Sequence, residues 1–131
     1  KSGDKILTDT RHQFGIDWDV MCKLAGLCGV DTIHSGMWGG YLSDNEESLH
    51  KTLSILRKNN VLPALSCGMH PGIVNHIENK FGADFLANTG GAIHGHDGGT
   101  VKGALAMRQA IDKNFGPEYE QAVKKWGTIS S

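Results

Sequence analysis

At 131 residues and a formal net charge of −1, the chain is long enough for one domain with a buried core, and it lacks the basic excess of a nucleic-acid binder. No apolar run approaches the about 18 residues of a membrane helix, and no charged-then-apolar start marks a signal peptide, so neither nucleic acid nor membrane is an expected partner. Cys22, Cys28 and Cys67 form no CxxC pair and read as free thiols of a reducing compartment, which places the chain in the cytoplasm.

Taken in order, residues 1–14 are polar and patternless and read as a poorly structured lead-in. A helix opens at Ile16 with Asp17 as N-cap and places Trp18, Met21, Leu24, Ala25 and Cys28 on one face, with Cys22 and Cys28 as core thiols and Gly29 as its stop. Residues 30–34 read as a short buried strand. Ser43 and Glu46 fit a capping box for a helix carrying Leu49, Leu53 and Leu56. A second strand spans 61–65. Pro71 suits the first turn of a helix bearing Ile73, Val74, Ile77 and Phe81, stopped by Gly82. A third strand covers 84–87. A helix from Thr100 to Lys113 follows, and Pro117 opens a last one through Tyr119, Ala122, Val123 and Trp126 to Gly127.

The order α-β-α-β-α-β-α-α implies an α/β fold with parallel strands and right-handed crossovers. The strands are short and nearly all apolar, as expected when both faces are covered. His34, Ser66 to Gly68 and Thr89 to Gly91 each stand at the C-terminal end of a strand. That rim is the active-site face of a (β/α)8 barrel and lines the ligand crevice of an open sheet. The stretch Asn88 to Gly99, NTGGAIHGHDGG, joins a strand to a helix. Gly90 and Gly91 lack Cβ, so their backbone N–H groups can approach a phosphate closely and accept positive φ. His94 and His96 flank Gly95, but no third ligand sits at a supporting spacing, so no metal site is expected there. His70 reads as a helix-start or supporting group, and His12, His50 and His76 as surface residues. Trp38 reads as a ligand cap or as an apolar latch on a neighbouring element. His34 and Ser66 do not read as a base and nucleophile, because no third orienting carboxylate is evident.

Three segments resemble one family. Residues 15–36, from Gly15-Ile16-Asp17 through Gly29-Val30-Asp31-Thr32-Ile33-His34-Ser35-Gly36, resemble the fifth helix, sixth strand and start of loop six in the barrel of the RuBisCO large subunit. Ser66-Cys67-Gly68-Met69-His70 resembles its Ser-Gly-Gly-Ile-His segment after strand seven. Thr89-Gly90-Gly91-Ala92-Ile93-His94-Gly95-His96 resembles its glycine-rich segment after strand eight, and Gly99 to Ile111 continues like the eighth helix. The resemblance implies the C-terminal portion of a (β/α)8 TIM barrel over residues 15–127, with 128–131 as a tail. His34 would then face one phosphate of a phosphorylated sugar and Ser66 would bond a sugar hydroxyl. Gly68, Gly90 and Gly91 would cradle the other phosphate through backbone N–H groups, with Cys67 where the family has glycine.

Two departures shape the expected function. Loop six of the carboxylases carries a lysine in a Gly-Lys-Leu context, where this chain has Gly40-Tyr41-Leu42. A phenol has no fixed positive charge with which to steady a developing carboxylate, so carboxylation of ribulose bisphosphate is not expected. The resemblance points instead to RuBisCO-like proteins, the form IV group, which enolise, isomerise or decarboxylate related phosphorylated sugars. The resemblance implies that the family's metal site and acid–base histidine precede the part matched here, and Arg11 and His12 lie too close to the fifth helix to be the family's arginine and histidine without a deletion. Mg2+ is therefore expected in the complete family member and not on this chain's own residues, and the chain alone is expected to be inactive. It supplies the sugar-phosphate half of a metal-dependent enolase or isomerase site, or else forms a catalytically silent half-barrel that binds a phosphorylated ligand or a partner chain. Open strand edges imply a partner, either the missing N-terminal half or a second copy in a homo-oligomer.

Overall fold

The computed structural model describes residues 4–9, 11–40 and 44–129. Among these, the elements run α1 (Asp4–Thr8), α2 (Trp18–Leu27), β1 (Thr32–Gly36), α3 (Glu46–Lys58), β2 (Leu62–Leu65), α4 (Val74–Phe81), β3 (Leu86–Ala87), α5 (Gly90–His94), α6 (Thr100–Ile111) and α7 (Pro117–Trp126). The strands form one sheet in the order β1-β2-β3, parallel throughout, with α3 and α4 as the crossovers. The α/β class and parallel pairing expected from the alternation of elements are what the chain adopts.

The strands start later than their apolar runs because helix caps consume the first residues. At the end of α2, Gly29 takes a φ of 83° and the Val30 N–H returns 3.4 Å to the Ala25 carbonyl. This is a Schellman closure, so Val30 belongs to the helix cap and β1 runs from Thr32 to Gly36, not over 30–34. The same device ends α3, with Asn60 at a φ of 56° and the Val61 N–H 3.0 Å from the Leu56 carbonyl, so Val61 falls outside β2. It also ends α6 at Ile111, short of the expected Lys113, which itself takes a φ of 55°. β3 keeps two residues of the four expected: the Arg57 guanidinium donates to the Phe81 and Asp84 carbonyls, holding the approach to the strand in a bend.

Within this chain one face of the sheet is packed and the other is largely open, so the covering of both faces expected from the apolar strands would need the partner that the open edges also imply. Thr32, Leu62 and Leu86 are exposed, as is His34, and the pairing of Thr32 with Leu62, His34 with Ala64 and Ala64 with Leu86 puts all of these on one face. Pro63 and Leu65, on the other face, are buried. That covered face belongs to a core of Met37, Leu49, Leu53, Leu65, Ile73, Ile77, Phe81 and Met107. Truncating one such leucine to alanine costs about 2–5 kcal/mol, so this face fixes the fold.

Other expectations are corrected locally. The α3 cap is Asn45, whose side chain accepts from the Ser48 N–H at 3.2 Å, and Glu46 is the first helical residue rather than the third; Ser43 lies outside the described residues. Pro71 sits in a turn ahead of α4, which begins at Val74. On α2, Cys22 is buried against Leu56 and Val61 while Leu24 and Cys28 are exposed, so the packed face is rotated from the one expected. Asp19 on that buried side is neutralised by Lys51 at 2.6 Å. The lead-in contains α1, and the Ile16 N–H donates to the Leu7 carbonyl at 2.8 Å. No described helix is long and apolar enough to cross a membrane.

Candidate functional site

Polar and glycine residues converge where the three strands end. His34 closes the regular part of β1, because the register shifts between His34 and Gly36. The bulge turns Ser35 inward, where its hydroxyl donates to the Ala64 carbonyl at 3.3 Å, and leaves His34 on the open face. Ser66 follows β2 directly, with its Oγ 3.0 Å from His34 Nδ1. Asn88 follows β3, and its Nδ2 lies 3.4 Å from the same Nδ1.

Beside this group is a cavity of about 490 Å³. Four glycines line it, Gly39 and Gly40 after β1, Gly68 after β2 and Gly91 at the start of α5. Asn88, Cys67 and His70 add polar groups, and Met69, Ala92 and Trp126 form an apolar wall. None of the described lining residues is acidic, which suits an anion. Gly40 allows close approach of two loops, since a Cβ there would stand 2.4 Å from the Cys67 carbonyl oxygen. Cys67 and Gly68 take φ values of 74° and 118°, so the Ser66-Cys67-Gly68 turn is left-handed at consecutive residues.

The expected glycine loop is helical where it was to be irregular. Gly90 and Gly91 open α5, and neither takes a positive φ, contrary to expectation. Their absent side chains matter for space instead: a Cβ at either position would meet nothing within 4 Å. The first N–H groups of a helix have no acceptor within it. Gly91 lines the cavity, whereas Gly90, His34 and Ser66 are not part of its wall. The sequence-derived residues thus fall into two neighbouring groups, Gly68 with Gly91 and His34 with Ser66, bridged by Asn88. Tyr41, expected in place of the carboxylase lysine, lies outside the described residues; before and after it in the chain, the Met37 N–H donates to the Asp44 carboxylate at 2.9 Å.

His70 was read as a supporting group, and it lines the cavity. Its Nδ1 accepts the Gly72 N–H at 3.2 Å, and its ring stacks on Trp126 with centroids 6.0 Å apart. The turn must press against α7 for this, and a Cβ on Gly72 would stand 2.1 Å from the Gly127 carbonyl oxygen. Burial pushes the His70 pKa below its usual 6.5. His96 is buried with both nitrogens engaged, Nδ1 by the Gly98 N–H and Nε2 by the Glu118 carbonyl, each at 3.0 Å. His94 is exposed, near Thr100. Trp38 is a latch, edge-on to Phe81 at 6.0 Å with the Lys80 ammonium 4.4 Å above its ring. Asn88 and Trp126 escaped the sequence reading as site residues. A polar residue directly after a strand was the available signal for Asn88, and nothing in the helical pattern set Trp126 apart from core.

A parallel sheet with helical crossovers and a glycine-lined cavity at the strands' C-terminal ends is the architecture of a (β/α) barrel rim. The model of the ribulose bisphosphate carboxylase large chain, catalytic domain, matches residues 48–127, and the chain belongs to this family. The ribulose bisphosphate carboxylase of Pyrococcus furiosus is 33% identical over 131 aligned residues, covering 88% of this chain and 31% of the relative. The 2,3-diketo-5-methylthiopentyl-1-phosphate enolase of Exiguobacterium sibiricum is 48% identical over 52 residues, covering 40% of this chain and 13% of the relative. Octameric Rubisco from Pyrococcus horikoshii, solved as a complex with sulfate ion, superposes with a TM-score of 0.86 at 27% identity, over 100% of this chain and 34% of that one. A rubisco-like protein from Alicyclobacillus acidocaldarius gives 0.85 at 31% identity, over 96% and 36%. The chain therefore spans about a third of the length of the relatives it matches over most of its own.

Proposed function

We propose that these residues form the sugar-phosphate-binding part of a RuBisCO-like site, of the kind that serves an enolase or isomerase. The observation that carries the reading is the cavity at the strand ends, free of acidic groups among its described lining residues, with Gly68 and Gly91 in its wall and open space where a Cβ on Gly90 or Gly91 would stand. Gly68, Gly90 and Gly91 offer backbone N–H groups to one phosphate. Ser66 offers its hydroxyl to a sugar hydroxyl, and His34 faces a second phosphate from the open face of the sheet. Enolase and carboxylase relatives both match, and the replacement of the loop-six lysine by Tyr41 favours chemistry other than carboxylation.

Magnesium is the cofactor the family resemblance implies. Among the described residues no three His, Cys, Asp or Glu side chains converge, so these residues do not fit the metal and no step through it is assigned to them. Their part is to hold and orient a phosphorylated sugar, and catalysis needs groups from elsewhere. The uncovered sheet face, with Leu62 and Leu86 exposed between the open edges of β1 and β3, favours association with the remainder of a barrel or a second copy of the chain. Calorimetric titration with inorganic phosphate and with ribulose 1,5-bisphosphate tests the ligand class. Saturable binding of both is expected, and heats no larger than dilution would remove the reading.

A further inference from the structure

His70 and His96 are built alike, and the difference between them is informative. Each accepts, on Nδ1, the N–H of a residue two positions on: Gly72 at 3.2 Å for His70 and Gly98 at 3.0 Å for His96. A backbone N–H can only donate, so Nδ1 is unprotonated in both neutral rings and Nε2 carries the hydrogen. Both rings approach the same indole, Trp126, at 6.0 and 6.4 Å between centroids. In His96 the Nε2–H is consumed by the Glu118 carbonyl at 3.0 Å. In His70 it has no acceptor among the described residues, and His70 lines the cavity.

We propose that His70 is a ligand-binding residue of this cavity, a neutral, tautomer-locked imidazole whose Nε2–H donates to an oxygen of a bound anion. The inference rests on the phosphate reading of the cavity and adds a side-chain donor to the backbone amides that Gly68 and Gly91 bring to the same wall. The Gly72 N–H fixes the tautomer, Trp126 fixes the ring plane, and half-burial disfavours protonation, which would break the Gly72 hydrogen bond. Such a donor serves at neutral pH without needing a charge, and it is oriented before the ligand arrives.

The test has two independent arms on the full chain. In the first, histidine nitrogen shifts are recorded by NMR without ligand and then with inorganic phosphate. The expected result is the Nε2–H form for His70, with its Nε2 signal moving on phosphate addition; an Nδ1–H form, or an unmoved signal while phosphate binds, overturns the proposal. In the second, phosphate affinity is compared for His70→Phe, which keeps a ring against Trp126 without a donor, and His70→Gln, which restores one. Loss of about tenfold in the first variant and recovery to within about threefold in the second are expected for a hydrogen bond to a charged group. Equal affinity in wild type and His70→Phe, with binding abolished by Gly91→Val, overturns the role of His70 and leaves the cavity reading standing. Loss in His70→Phe with no effect of Gly91→Val supports His70 and removes the glycine cradle. Absence of phosphate binding by the wild type overturns both.

Discussion

Ser66 Oγ stands 3.0 Å from His34 Nδ1, joining the ends of two adjacent parallel strands across 32 residues of sequence. A catalytic triad would place an orienting carboxylate on the other ring nitrogen, whereas here the second contact is the Asn88 amide, 3.4 Å from the same Nδ1 that faces Ser66. An amide cannot stabilise an imidazolium as a carboxylate does, so the arrangement is not that of an activated serine and suits the proposed role of Ser66 as a hydrogen-bonding group. Ser66→Ala is expected to weaken binding of ribulose 1,5-bisphosphate about tenfold while leaving inorganic phosphate within about twofold, because only the sugar offers a hydroxyl partner. Parallel titrations of the two ligands measure this, and equal losses for both would place Ser66 at the phosphate.

Cys67 takes a φ of 74°, the left-handed region that disfavours any Cβ. Holding a non-glycine residue there costs about 1–2 kcal/mol, whereas glycine adds about 0.5–1 kcal/mol of unfolded-state entropy. The strain is the larger quantity. Cys67→Gly is therefore expected to raise stability by about 0.5–1 kcal/mol in urea unfolding, and a loss of stability would show that the thiol makes packing contacts outweighing the strain.

Stability should also depend on pH through His70. Burial lowers its pKa below 6.5, so in the window just under 6.5 the unfolded chain binds more protons than the folded one. This contribution is complete above pH 6.5 and is lost as pH falls through the folded value. Asp97, lowered by its hydrogen bond from Lys125, and Glu118, lowered by the one from Gln109, act in the same direction further down, below 3.8 and 4.5 respectively. The urea midpoint is expected to fall between pH 7.5 and 5.5 in the wild type and to change less in His70→Phe. Identical slopes in the two proteins would contradict the assignment.

How much of this was legible in the sequence depended on what decides each feature. Leu49, Leu53 and Leu56, like Ile73, Ile77 and Phe81, announce their helices by period, and all six are buried. The starts of β1 and β2 were not legible, because Val30 and Val61 read as strand by composition while their N–H groups are recruited by the caps of the helices just before them. Covering of the sheet could not be read either. An apolar strand such as Leu62–Leu65 carries the same signature whether its second face meets this chain or another. For the candidate site, Gly91 was marked by the glycine-rich stretch and Gly68 by the family resemblance of Ser66 to His70, and both line the cavity. The proximity of Asn88 to His34 is a consequence of the three-strand register, which no local pattern encodes.

The half-covered sheet leads to an expectation about mass. Leu62 and Leu86 are 38% and 42% exposed on the open face, and Val20, Leu24 and Leu27 on α2 are 44%, 50% and 67% exposed. Light scattering at micromolar concentration is expected to give a mass above that of one chain, with little binding of a hydrophobic dye once the faces are joined. A stable monomer that leaves the dye silent would contradict it.

The central claim, a phosphate held by the amides at the start of α5, is tested most directly at Gly91. Because a Cβ there meets no protein atom within 4 Å, Gly91→Val is expected to fold with an unchanged far-ultraviolet spectrum while its side chain enters the space assigned to the ligand. Isothermal calorimetry with inorganic phosphate should then show saturable binding to the wild type and none to the variant. Unchanged affinity in a folded Gly91→Val protein would contradict the claim.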